Sequence, residues 1–148
     1  MAYIPIWQTA RLTLTSAQVK TLHGTPVQII PAPGQGFGIV LAYANAKLNY
    51  GGNNAFTAGA AQAIGLFYNN TTTNVIADIL FIPNAMITNT ANAFTVTSFT
   101  ITSLVNKAAG VLDNVNIAIY NTVATEISGN AAGDNTIDVT VIYAIVPF

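Results

Sequence analysis

Apolar residues in this chain recur at every second position, run after run. Toward the C-terminal end Ile137, Val139, Val141, Tyr143 and Ile145 follow this spacing, with Asp138 and Thr140 between the first three. Successive side chains of a β-strand point to opposite faces, so the spacing puts these five residues on one side of an extended chain. A helix would scatter the same residues around its axis. Leu12 and Leu14 oppose Arg11, Thr13 and Thr15; Ala46, Leu48 and Tyr50 oppose Asn45, Lys47 and Asn49; Val115, Ile117 and Ile119 share a face. Further strands are expected over Pro26–Ile30, Phe37–Tyr43, Ala63–Tyr68, Val75–Ile82 and Phe94–Leu104. Turn-forming segments rich in Gly, Pro, Asn and Thr separate the runs, at 31–36, 51–54, 69–74 and 128–135. About eight short strands divided by such turns predict an all-β, single-domain sandwich or jelly roll of antiparallel strands spanning residues 1–148.

Three segments depart from simple alternation. Phe37, Ile39, Leu41 and Tyr43 are backed by Val40 and Ala42, and Ile142, Ala144 and Val146 bring apolar side chains to the second face of the last strand. Strands apolar on both faces are expected beneath other structure or a neighbouring subunit. Phe94 and Val96 sit on even positions but Phe99 and Ile101 on odd ones, so a bulge or bend is expected at Ser98. Alanine-rich stretches at 55–63 and 83–93 are candidates for short helical turns. Residues 1–8, with Tyr3, Ile4, Ile6 and Trp7 around Pro5, read either as a first core strand or as an arm that docks on a neighbouring copy.

Charge is scarce. Four cations and five anions make up 6% of the 148 residues and leave a net charge of −1. That excludes the basic footprint of non-specific nucleic-acid binding and a polybasic membrane patch. No apolar run approaches the roughly 18 residues of a membrane-spanning helix. The first residues lack the basic stretch of a secretory leader, so none is expected. An outer-membrane barrel would suit the terminal Phe148, but the missing export signal and Pro147 argue against it. Without cysteine there is no disulfide framework and no thiolate metal site. A chain that is 52% hydrophobic with so little charge is expected to bury apolar surface between copies, because obligate interfaces resemble a core cut in half.

Residues that carry chemistry are few. His23, the single histidine, precedes Gly24-Thr25-Pro26 and reads as a turn residue, since no hydroxyl near it lies in a nucleophile motif. Gly34, Gly36 and Gly38 alternate like a phosphate loop, but they open a strand rather than a helix. Asp78, Asp113, Glu126, Asp134 and Asp138 are scattered, and Asp134 and Asp138 with neighbouring Asn read as turn and solvent-face residues before they read as a Ca²⁺ site. Asn69 and Asn70 each begin an Asn-x-Thr sequence. Asn-rich loops near Tyr50, Phe56, Phe67 and Tyr68 make a sugar site possible in kind but not favoured. No catalytic residue, cofactor or metal is assigned, and an enzyme is not expected.

Four stretches resemble small structural proteins of tailed bacteriophages. Residues Ser16–Gly34 carry a Thr25-Pro26-Val27 strand start and a Pro31-Ala32-Pro33-Gly34 turn. Lys47-Leu48-Asn49-Tyr50-Gly51-Gly52, Ala63-Ile64-Gly65-Leu66-Phe67-Tyr68 and the closing Gly133–Tyr143 run continue the pattern over about half of the chain. Within that group the chain is most similar to capsid decoration, or cement, proteins. His23-Gly24 and the low charge depart from the pattern. The resemblance implies a homotrimeric β-sandwich that sits on the virion surface after assembly in the host cytoplasm and bridges major capsid proteins. The expected contacts with capsid or subunit are Tyr3, Ile4, Ile6, Trp7, Phe37, Ile39, Leu41, Tyr43, Ile142, Ala144 and Val146. The alternative is a receptor- or glycan-binding module of a phage fibre or tail.

Overall fold

A computed structural model describes residues 4–69, 76–98, 112–121 and 123–147. In chain order the strands are β1 (Trp7–Leu14), β2 (Val27–Ile30), β3 (Phe37–Asn49), β4 (Phe56–Thr57), β5 (Ile64–Asn69), β6 (Ile76–Ile82), β7 (Ala93–Ser98), β8 (Asn116–Asn121), β9 (Ser128–Gly129) and β10 (Thr136–Pro147). Two one-turn helices, α1 (Ser16–Val19) and α2 (Asn84–Ile87), interrupt them. Residues 99–111, with the expected phase shift at Phe99 and Ile101, lie outside the described residues, as do Tyr3 and the 70–74 part of the Asn/Thr loop.

Eight of the strands form two antiparallel four-stranded sheets, ordered β1-β10-β3-β7 and β2-β8-β5-β6. β1 pairs with β10, β2 with β8, β3 with β7, and β5 with β6. Four nested antiparallel pairs wound into two sheets are the topology of a jelly roll. The fold is therefore the all-β sandwich that the alternation predicts. Among the described residues no helix is long and apolar enough to cross a membrane.

The core follows from the alternation. Ile137, Val139 and Val141 on β10 face inward beside Leu14 on β1 and Ala44, Ala46 and Leu48 on β3. They meet Ile64, Leu66 and Tyr68 on β5 and Ile117 and Ile119 on β8. Tyr143 remains on this inner side, and its hydroxyl donates to Gln8 Oε1 at 3.1 Å. The inward face of the last strand thus continues through Tyr143.

One irregularity reorganises β3. Tyr43 stands opposite Ile142, but Leu41 stands opposite Tyr143, so Ala42 is an extra residue on β3. A bulge of this kind moves the following side chains to the other face. Even positions point inward before it (Ala44, Ala46, Leu48) and odd ones beyond it (Ile39, Leu41). The segments expected as two strands, 37–43 and 45–50, are therefore one long strand with a phase change.

Local sequence explains the short elements. Thr15 caps α1 through a capping box, its hydroxyl accepting from Gln18 N at 3.3 Å while Gln18 Oε1 accepts from Thr15 N at 2.9 Å. A helical turn forms in the 83–93 stretch, where Met86 and Ile87 of α2 are buried. The 55–63 stretch forms no helix. Phe56 is buried in the core, and β4 pairs with β9 instead. Gln62 completes that region by accepting from Gly59 N and donating to Thr125 O.

Candidate functional site

Several of the expected contact residues come together on the outer face of the β1-β10-β3-β7 sheet. Strand register fixes its cross-strand rows. Thr13, Asp138, Lys47 and Phe94 form the first, and Arg11, Thr140, Asn45 and Val96 the second. Thr9, Ile142, Tyr43 and Ser98 form the third, and Trp7, Ala144 and Val40 the fourth. Val146 follows beyond Ala144 on the same face.

The two halves differ in chemistry. The first two rows hold the charges. Thr13 Oγ1 donates to Asp138 Oδ1 at 2.6 Å and Asn49 Nδ2 donates to Asp138 Oδ2 at 2.8 Å. These bonds, with Lys47 nearby, hold the Asp138 carboxyl below its ordinary value of 3.8. A shallow depression of about 300 Å³ lies here, lined by Arg11, Thr13, Asp138 and Thr140. The remaining rows carry no charge: Trp7, Val40, Tyr43, Ile142 and Val146 leave apolar surface outward.

The expected contact residues fall into three groups. Trp7, Tyr43, Ile142 and Val146 lie on this face with at least part of each side chain accessible. Ile4 and Ile6 precede β1 and are 81% and 75% exposed, while Trp7, at 53%, already belongs to β1 by its pairing with Ala144. Trp7 and Gln8 thus belong to β1 rather than to the expected arm. Phe37 is exposed at the start of β3. Ile39 and Leu41 do not reach a surface, because the Ala42 bulge turns them into the core. Ala144 is also fully buried, a small side chain in the row between Trp7 and Val40. These three are covered by the chain's own structure, the first of the two alternatives for a strand apolar on both faces, which corrects their place among the expected capsid or subunit contacts.

Other residues of this surface escape sequence reasoning. Phe94 and Val96 alternate as core residues do, yet Phe94 is 62% exposed. The inward side of β7 carries Ala93, Thr95 and Thr97, beside Leu48, Ala46 and Ala44. Nothing in the alternation says that the smaller, more polar set faces inward.

The residues considered for chemistry are engaged elsewhere in holding loops. Glu126 accepts from His23 N at 3.0 Å and from Gly24 N at 2.7 Å, fixing the turn that contains His23. The His23 ring stacks obliquely on Tyr120 at 5.1 Å, and its Nδ1 lies 3.2 Å from Asn121 O. Gly34 N donates to Asn114 Oδ1 and Gly36 N to Asp113 Oδ1, at 2.9 and 2.7 Å. The amides that a phosphate would need are thus already taken by side chains of the 113–114 turn.

Asp134 and Asp138 do not share a site. Asp134 accepts from Asn53 Nδ2 at 2.6 Å and from Asn130 Nδ2 at 2.7 Å, and both bonds lower its carboxyl below 3.8. Its oxygens meet amide donors, whereas a hard cation wants oxygens. Buried Asn130 and Asn135 complete the knot by donating to Asn54 O at 2.7 and 2.8 Å. Among the described residues no three His, Asp or Glu side chains converge. Of the aromatic residues suggested for a sugar platform, Phe56, Phe67 and Tyr68 are buried and Tyr50 is half-buried. No protein-family model and no curated protein matches the sequence of this chain.

Proposed function

We propose that the protein is a structural component of a tailed-bacteriophage virion, a decoration protein that binds the outer capsid shell as a homotrimer and stabilises it without chemistry. The observation that carries this reading is the outer sheet face. A jelly roll leaves one sheet with a charge-free apolar half, at Trp7, Val40, Tyr43, Ile142 and Val146, next to exposed Ile4 and Ile6. Contiguous apolar surface of this kind marks contact with another protein. Jelly rolls also build lectins and enzymes, so the fold contributes an analogy and the surface contributes the argument. Many copies on a shell turn weak single contacts into firm attachment through multivalency.

The test is to add purified protein to undecorated capsids and sediment them. Saturable co-sedimentation is expected, and its absence overturns the decoration reading. A native mass three times the 15.5 kDa of one chain is expected, and a monomeric mass overturns the trimer. A second reading, a glycan-binding module of a fibre or tail, is favoured by the depression between Arg11, Thr13, Asp138 and Thr140, which offers both donors and acceptors to sugar hydroxyls. Reproducible sugar binding on a glycan array, lost in Asp138→Ala, supports that second reading.

A further inference from the structure

We infer that the segment Ile4–Ile6 of one copy lies in the seam between β1 and β2 of the next copy, so that subunits are joined by exchanged arms. The contact rests on the homotrimer part of the proposed function and names the surfaces that hold the subunits together.

The seam is where the core is left partly open. β1 and β2 are edge strands of opposite sheets and approach each other along one side of the sandwich. Ala10 and Leu12 on β1 and Val27 and Ile29 on β2 pack against the core yet stay only half-buried. Among the described residues no strand pairs with the side of β1 away from β10. β1 also lacks the devices that usually protect an edge. Residues 7–14 contain no proline, and they pair with β10 without a register shift.

The segment before β1 supplies the complementary half. Pairing of β1 with β10 ends at Trp7, although β10 continues to Pro147 along β3. Ile4 and Ile6, at 81% and 75%, are the most exposed large hydrophobic side chains among the described residues. In an extended chain their two-residue spacing matches that of Ala10 and Leu12 and that of Val27 and Ile29, so both can enter the seam from one side. Pro5 restricts its own φ and biases Ile4 to extended backbone, which reduces the entropy lost on docking.

The connection to β1 decides whose segment fills the seam. Trp7, Gln8 and Thr9 run straight, paired with Ala144, Tyr143 and Ile142, so the chain cannot reverse between Ile6 and Ala10 to cover its own edge. Every copy therefore carries an uncovered apolar segment and an uncovered apolar seam that it cannot bring together itself. Head-to-tail exchange satisfies both halves in every copy at once and closes into a ring. Residues 4–6, 10, 12, 27 and 29 include no charge, so two copies of the same net charge meet there without repulsion.

The absence of native cysteine makes the contact testable by cross-linking. Ile6→Cys is combined in turn with Ala10→Cys and with Leu12→Cys in the full chain and treated with oxidised glutathione. Residues 6 and 10 lie about 13 Å apart along an extended strand, beyond the reach of a disulfide, so any bond joins two copies. The expected result is a covalent ring of three chains on a denaturing gel for at least one pair, and none for Ile6→Cys with Val96→Cys on β7. Ile4→Ser and Ile6→Ser, both at exposed positions, are each expected to weaken self-association at least about tenfold with unchanged unfolding midpoints of the dissociated chain. An associated wild type whose cysteine pairs do not cross-link, or whose serine variants associate equally well, overturns the arm contact and leaves the trimer standing. A covalent dimer supports the arm contact and overturns the trimer. A monomeric wild type overturns both.

Discussion

The Tyr68 hydroxyl donates to the Ile39 carbonyl at 2.6 Å, joining β5 of one sheet to β3 of the other through the interior. The acceptor belongs to the part of β3 beyond Tyr43–Leu48, the segment that β7 pairs. Tyr68 is almost wholly buried, and burial pushes its phenol well above the ordinary 10.0. A buried carbonyl left without this donor forfeits the bond and regains no water.

Tyr68→Phe is therefore expected to lower stability by about 1–3 kcal/mol, measured by denaturant unfolding. An unchanged midpoint would show that the bond contributes nothing. The phenol also sets an alkaline limit. With its pKa raised in the folded state, its contribution is complete below pH 10.0 and is lost as pH rises above that value, because the unfolded chain ionises first. The fall in melting temperature above pH 10.0 is expected to be shallower in Tyr68→Phe than in the wild type.

Asp138 sets a limit on the acid side. Its carboxyl is lowered by the bonds from Thr13 and Asn49 and by Lys47. The unfolded chain takes up the proton first as pH falls below 3.8, so this contribution is present above that value and is lost as pH drops through the folded-state pKa. Melting temperatures of Asp138→Asn between pH 5 and pH 2, ordinary values for an acid titration of carboxylates, are expected to fall less steeply than those of the wild type. A parallel pair of curves would exclude Asp138 as a source of acid sensitivity.

Two glycines separate backbone strain from crowding. Gly36 and Gly129 have nearly the same positive φ, +79° and +78°. A Cβ on Gly36 meets nothing within 4 Å, whereas one on Gly129 sits 2.7 Å from both Ala55 O and Thr57 N, backbone atoms of the β4 pairing. Gly36→Ala is expected to cost about 1–2 kcal/mol, the left-handed penalty alone. Gly129→Ala is expected to cost clearly more, since the β4–β9 contact must open. Equal unfolding midpoints for the two variants would refute the crowding argument.

The asparagine knot predicts an unusual sensitivity to one isosteric change. Asn130 is buried, its Nδ2 donating at 2.7 Å to both Asn54 O and Asp134 Oδ1. Asn130→Asp replaces that donor with a carboxylate facing another carboxylate. A loss of about 3–5 kcal/mol at neutral pH is expected, with partial recovery in mild acid when the new group takes up a proton. Stability that is insensitive to pH in this variant would show that the knot rearranges instead.

The legible part of this fold was whatever alternation governs without interruption. The inward run Ile137, Val139, Val141, Tyr143 marks its own face, and so do Leu12 and Leu14. Residues 113–114 and Glu126 were not readable as loop anchors, because the turns they hold lie about 80 and 100 residues away in sequence. Phe94 and Val96 could not be assigned a face from the sequence for a different reason. Alternation reports that two faces differ, and only the neighbouring strands decide which of them is inside. The surface residue Arg11 was visible as a charge, but that its side chain finds no partner among the described residues is a property of the folded sheet.

The Ala42 bulge is the feature that the sequence concealed most fully. Unbroken alternation from Ala44, Ala46 and Leu48 would put Val40 in the core and Ile39 and Leu41 outside, and the extra residue reverses that. Leu41→Ala is therefore expected to cost about 2–5 kcal/mol by leaving a cavity in the core, and Val40→Ala, on the outer face, clearly less. Deleting Ala42 joins Leu41 directly to Tyr43 and keeps Leu41 opposite Tyr143, so Ile39 and Leu41 stay inward. Unfolding midpoints of the deletion variant are expected to lie closer to the wild type than those of Leu41→Ala. If Val40→Ala costs as much as Leu41→Ala, the bulge does not decide which residues of β3 enter the core.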